Sequence, residues 1–129
     1  MNKTVVNSIN APAPIGPYSQ AISAGGFLFV SGQVAIDPAS GELVTSSIEA
    51  ETKQVMNNLN AVLKEAGYDF SHVVKTTIFL SDMSHFATVN QVYAQYFMAE
   101  FPARETVAVK GLPKNVNVEI SMIAYRQVV

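Results

Sequence analysis

Apolar positions along the 129-residue chain change period several times, and each change marks an element. From Asn117 to Tyr125 the side chains alternate: Val118, Ile120, Met122 and Ala124 fall on one face of an extended strand, and Asn117, Glu119, Ser121 and Tyr125 on the other. A second alternating run, just after Pro102, puts Arg104, Thr106, Ala108 and Lys110 on one side and Val107 and Val109 on the opposite side. "HVVKTTIFLSDM" has the continuous apolar character of a buried strand, and "AISAGGFLFVSGQ" reads as a hairpin in which Gly25-Gly26 supply the positive φ of a tight turn. From Ser46 the period becomes helical. Ile48, Val55, Met56, Leu59, Val62 and Leu63 recur at three- and four-residue steps, Ser46 with Glu49 suggests a capping box, and Gly67 supplies the stop. A second helix is expected after Asp82 or Ser84 as N-cap, with Phe86, Val89, Val92, Tyr93, Tyr96 and Phe97 on one face.

The predicted order is strand, hairpin, helix, strand, helix, strand, strand. An α+β or α/β sheet with both helices on one face is the economical way to bury these stripes. The segment "NAPAPIGPYSQ" is expected as an ordered, extended loop, because Pro12, Pro14 and Pro17 each restrict the residue before them. No linker, low-complexity block or charge run divides residues 1–129, so they read as one domain.

Composition changes this picture in three ways. The chain is 49% apolar and only 14% charged, which excludes disorder and suggests that copies of the chain cover part of each other's surface. It has no cysteine, which rules out disulfides, thiol nucleophiles and cysteine zinc sites. Its net charge is −2 and its eight basic residues are scattered, which argues against a nucleic-acid-binding stripe. With no signal-like amino terminus and no apolar run of membrane length, a cytoplasmic location is expected.

Candidate chemistry sits where charge interrupts apolar strands. Arg104 offers a guanidinium fork for a carboxylate, with roughly 1.5–3 kcal/mol available per charge-assisted bond; an ion pair with Glu105 or another acid is the ordinary alternative. Glu119, between Val118 and Ile120, must find donors or hold a raised pKa suited to proton transfer; a structural salt bridge or a solvated sheet face is its alternative. Tyr18 could close over a small ligand or simply cap the core. Ser31-Gly32 could let backbone approach a ligand, or could be only a strand end. Asn90, read alone, is a solvated or capping residue. His72 and His85 are isolated, no side chains have metal-ligand spacing, and no phosphate-cradling loop is present, so neither metal nor cofactor is expected.

In this order, "APAPIGPYSQA", "FLFVSGQV", "FATVNQVYAQYF" and "FPARETVAVKGLPKNVNVEISMIA" resemble the Rid family, the reactive-intermediate deaminases of the RidA type, over nearly the whole chain. The resemblance implies a chorismate-mutase-like fold and a homotrimer with clefts between neighbouring subunits. It also implies hydrolysis of 2-imino acids such as 2-iminopropanoate and 2-iminobutanoate, with their enamine tautomers, to 2-oxo acids and ammonia. The family's substrate-carboxylate arginine falls on Arg104, its water-handling glutamate on Glu119, its loop tyrosine on Tyr18, its serine-glycine strand end on Ser31-Gly32 and its helix asparagine on Asn90. Family members often carry cysteine two residues after the arginine; here that position is Thr106, which could still serve through its backbone N–H.

Two other functions fit the same features. One is a module that binds 2-oxo acids or similar carboxylates without turnover. The other, a ribonuclease or translation inhibitor, is a label some family members carry, and the acidic balance weighs against it. Whether Arg104 and Glu119 meet within one chain or across an interface is open from spacing, since the connection through Gly111 and Pro113 permits a hairpin; the family's architecture favours an interface.

Overall fold

The computed structural model describes residues 2–127. Its frame is a six-stranded sheet of β1 (Lys3–Val6), β2 (Ala21–Ala24), β3 (Phe27–Gln33), β4 (Val73–Leu80), β5 (Ala103–Ala108) and β6 (Val118–Tyr125), in the spatial order β1-β2-β3-β6-β4-β5. All neighbours are antiparallel except β4 and β5. Two helices, α1 (Ile48–Glu65) and α2 (Phe86–Ala94), cover one face of this mixed α+β sheet.

The core lies between that face and the helices. Val118, Ile120, Met122 and Ala124 point into it from β6, as the alternation predicts, and meet Leu28 and Val30 of β3 and Ile78 and Leu80 of β4. From α1 come Val55, Met56, Leu59, Val62 and Leu63, all fully buried. Each such side chain contributes about 1.5–3 kcal/mol relative to leaving it in water. The opposite face is apolar but open: Phe27, Phe29 and Tyr125 stack there in the open.

Local signals fix most of the boundaries. Gly25 and Gly26 both have positive φ in the two-residue turn joining β2 to β3, as expected for a type I′ hairpin. Gly67, at φ +82°, ends α1. The cap of α1 is Ser47 and not Ser46: the Ser47 hydroxyl accepts from the Ala50 N–H at 3.0 Å, a reach Ser46 would have only if the helix began one residue earlier. Glu49 accordingly makes no capping box, and accepts from Lys53 at 3.2 Å. Asp82 precedes a short 3₁₀ turn, Met83–His85, ahead of α2. α2 is shorter than its apolar stripe. Beyond Ala94 the backbone bonds tighten to i→i+3 steps through Gln95, Tyr96 and Phe97, while Phe97 stays packed on Tyr93 and Phe70.

The chain does not use the hairpin that the connection between β5 and β6 permits. A strand-helix-strand crossover returns β5 parallel to β4 at the sheet edge, and β6 then inserts between β3 and β4. β4 therefore separates the strand carrying Arg104 from the strand carrying Glu119.

Candidate functional site

Glu119 projects from β6 onto the open face, opposite Phe79 of β4. Its carboxyl lies against Gly32, near the end of β3, so closely that a Cβ there would come within 2.8 Å of the Glu119 Cδ and one of the two would have to shift. Among the described residues nothing donates to this carboxylate, and desolvation by burial pushes its pKa above the ordinary glutamate value. Beside it is a cavity of about 100 Å³, bounded by Tyr18, Ile15, Gly32, Lys114 and Glu119. At ~30 Å³ per water this holds only a few small groups.

The Tyr18 loop is an ordered structure fixed by two polar side chains, the buried Gln20 and the half-buried Ser31. Gln20 accepts from the Ser8 N–H at 2.6 Å and donates to the Ser8 and Pro12 carbonyls at 3.1 and 2.9 Å. Ser31 donates its hydroxyl to the Ser19 carbonyl at 2.6 Å, and its N–H to the Gln20 carbonyl at 2.9 Å. The Ser31 side chain thus ties the loop to the strand, and Gly32 alone of that pair faces the cavity. Lys114 is a lining residue that sequence reasoning missed. It sits in the turn before β6 at φ +57°, followed by Asn115 at φ +55°, a left-handed conformation costly for a lysine. The turn signal after Pro113 was legible, but not that the turn folds back to Glu119.

Arg104 belongs to a second cluster on the helix-covered face. It pairs in register with Thr76, whose buried side chain meets the Tyr93 hydroxyl at 2.9 Å. The guanidinium lies 5.1 Å from the Tyr93 ring centre and 5.7 Å from that of Phe86, and its Nη1 donates to Asn90 Oδ1 at 2.6 Å. Burial pushes the Tyr93 hydroxyl's pKa upward, against smaller opposing effects of Thr76 and Arg104, so the ring under the guanidinium stays neutral. The alternative of an Arg104–Glu105 pair is not made: Glu105 faces the other way, onto Lys75 at 3.2 Å and Thr77. Arg104 and Asn90, with Tyr93, Phe101 and Pro102, bound a hollow of about 410 Å³. Thr106 follows on the same face, with its hydroxyl oxygen buried and unbonded.

The structure therefore brings Tyr18, Gly32 and Glu119 together, and separately Arg104 and Asn90. Thr76 and Phe79 stand three residues apart along β4, roughly 10 Å, with one interstrand spacing of about 4.8 Å on each side; the side chains moreover leave opposite faces. A larger hollow of about 830 Å³, around Phe70 and residues 96–103, contains none of the predicted site residues. His72 accepts from the Asp69 N–H at 3.0 Å within its own turn. Among the described residues no group of three or more histidines or carboxylates could hold a metal, and no helix is long and apolar enough to cross a membrane.

Comparison with known proteins extends over nearly the whole chain. Residues 8–126 match the family model described as Endoribonuclease L-PSP. A RutC family protein of Pyrococcus horikoshii is 52% identical over 125 residues, covering 97% of this chain and 99% of that protein. The 2-iminobutanoate/2-iminopropanoate deaminase of Bos taurus is 48% identical over 122 residues, covering 95% and 89%. The crystal structure of a Rid family protein from Yersinia pestis superposes with a TM-score of 0.94 at 49% identity, covering 96% and 99% of the two chains.

Proposed function

Because the chain belongs to the Endoribonuclease L-PSP family, which includes the Rid proteins, we propose that it is a hydrolytic deaminase. It converts 2-imino acids such as 2-iminopropanoate and 2-iminobutanoate, and their enamine tautomers, to 2-oxo acids and ammonia. The deaminase name of mammalian relatives at 45–48% identity supports the reading. The observation that carries it is that, among the described residues, Glu119 stands desolvated and unpartnered in a small cavity, while Arg104 is held by Asn90 with no acid to neutralise it.

The chemistry needs both groups. Arg104 grips the substrate carboxylate, with Asn90 fixing the guanidinium and the Thr106 N–H as a further donor. Glu119 takes a proton from a water, the hydroxide oxygen bonds to C2 of the protonated imine, and Glu119 passes the proton to nitrogen. As the C2–N bond breaks, Glu119 takes the proton of the C2 hydroxyl, so ammonia leaves and the carbonyl of a 2-oxo acid remains. Tyr18 and Gly32 border the pocket around the reacting carbon, and Ser31 holds the Tyr18 loop in place. No metal or cofactor enters this scheme.

Since the two charges leave opposite faces, the working site lies where the Glu119 face of one copy meets the Arg104 strand of a neighbour. The assembly is a homotrimer of chorismate-mutase-like subunits in the cytoplasm, and the open Phe27, Phe29 and Tyr125 cluster is apolar surface of the kind such contacts cover.

The test is to generate 2-aminoacrylate from serine with a dehydratase and to follow pyruvate release. Faster release with the protein present supports the deaminase. Binding of pyruvate with no acceleration would make the protein a carboxylate-binding module.

A further inference from the structure

Glu51 is 0% exposed, yet no cation lies within ion-pairing distance of it among the described residues. A buried carboxylate must have its lone pairs met by donors, and all of its donors come from one place, the entry to β6. Glu51 Oε2 accepts from the Asn117 N–H at 2.7 Å and from the Val118 N–H at 3.0 Å, and Oε1 accepts from Asn117 Nδ2 at 2.9 Å. Asn117 is held from its other side by the end of β4: Ser81 donates its N–H to the Asn117 carbonyl at 2.9 Å and its hydroxyl to Asn117 Oδ1 at 3.0 Å.

The position of this clamp matters more than its strength. It grips residues 117 and 118, between the left-handed turn carrying Lys114 and the carboxyl of Glu119, and both of those border the same cavity. Glu119 itself accepts no hydrogen bond among the described residues, so its direction is set by the backbone beneath it and by contact with Gly32. A core helix needs only an apolar residue at a buried position. A carboxylate there is a device for holding two consecutive backbone amides of a strand at a fixed place.

We infer that Glu51 is a positioning residue for the reaction, acting through Asn117 and Val118 to hold Glu119 and the Lys114 turn in register around the cavity. The inference rests on the deaminase reading. It makes Glu119 the group whose behaviour changes when Glu51 is altered, although Glu51 reaches the entry of β6 from α1 on the covered face and Glu119 leaves β6 on the open one.

The experiment compares wild type with Glu51→Ala, Glu51→Gln and Ser81→Ala, with Glu119→Gln in parallel. It follows pyruvate release from dehydratase-generated 2-aminoacrylate across pH, and Tm. Expected for Glu51→Ala is a fall in kcat of about tenfold or more with KM changed less than about twofold, because the carboxylate-gripping group is untouched. A loosened β6 entry also lets water reach Glu119, so the acid limb of the kcat profile moves to lower pH; Tyr18 and Lys114 are the other titratable groups facing that cavity. Glu51→Gln keeps one acceptor oxygen for the two amides and recovers most of the rate. Ser81→Ala, which removes only the hydroxyl bond to Asn117 Oδ1, shifts the limb in the same direction by less. Unchanged kcat and acid limb in folded Glu51→Ala, or in Ser81→Ala should Glu51→Ala not fold, with Glu119→Gln inactive, overturn the positioning role and leave the deaminase reading standing. Full turnover by Glu119→Gln overturns both.

Discussion

Arg104 and Glu119 leave opposite faces of one sheet, with β4 running between their strands. Neither is neutralised among the described residues, and no substrate the size of a three- or four-carbon acid reaches both. If the working site is assembled from two copies, Arg104→Ala and Glu119→Gln chains that are each inactive alone regain activity when unfolded together and refolded as mixed oligomers. Random mixing in a trimer restores about a quarter of the sites. No recovery from mixed oligomers of demonstrated composition would place the two residues in separate functions.

Arg104→Ala is expected to lose pyruvate binding and turnover together, with kcat/KM down roughly 10- to 100-fold for each charge-assisted bond lost. Arg104→Lys should recover little, since an ammonium has neither the planar fork nor the stacking on Tyr93. Isothermal titration with pyruvate beside the kinetic assay checks this; a lysine variant of wild-type affinity contradicts the fork.

Glu119→Gln keeps the shape of the side chain and removes the proton shuttle. Turnover should fall on the order of 10²- to 10⁴-fold while pyruvate affinity changes little. In wild type the rate should rise with pH through a raised carboxyl pKa, because the base form is the active one. A profile with no acid limb contradicts that assignment.

The same raised pKa has a stability signature. Burial makes the charged carboxylate harder to hold in the folded chain than in the unfolded one. Ionising Glu119 therefore costs stability as pH climbs from the ordinary glutamate value through the raised folded one, and costs nothing below that window. Glu119→Gln should melt higher than wild type at neutral pH, and the two should converge in acid. Thermal melts at several pH values decide it; equal Tm at neutral pH would falsify the desolvation account.

Gly32→Ala drives a methyl group into the Glu119 carboxyl. The side chain must turn away or the strand must shift, so a cost of about 1–3 kcal/mol in stability and a large loss of kcat are expected. An alanine variant with wild-type Tm and kcat would mean that the contact yields freely.

Much of the fold can be read from local pattern. The alternation of Val118, Ile120, Met122 and Ala124 assigns the buried face of β6, Gly25-Gly26 the hairpin, and Gly67 the end of α1, because each depends on side-chain period or on one backbone conformation. The cap at Ser47 was misplaced by one residue, since adjacent serines offer the same hydroxyl and only the helix phase chooses between them. Strand partners were not legible: that β6 lies between β3 and β4 depends on contacts far apart in sequence, which periodicity does not encode. For the site, the residue types of Arg104 and Glu119 stood out as charges in apolar runs. Their division between two faces did not, because strands of unknown register have no common inside. Lys114 and Glu51 escaped notice for a related reason, as both matter through what a distant segment brings to them.

β6, at the middle of the sheet, follows every other strand in the chain. During synthesis on a ribosome, β3 and β4 are complete while the gap between them is empty, and each presents a bare edge to whatever else is in the cell. Glu51, 66 and 67 positions upstream of the two amides it will hold, stays hydrated over the same interval. A nascent chain arrested before residue 118 is thus expected to depend on chaperones, and a premature stop there removes the centre of the sheet and not its fringe.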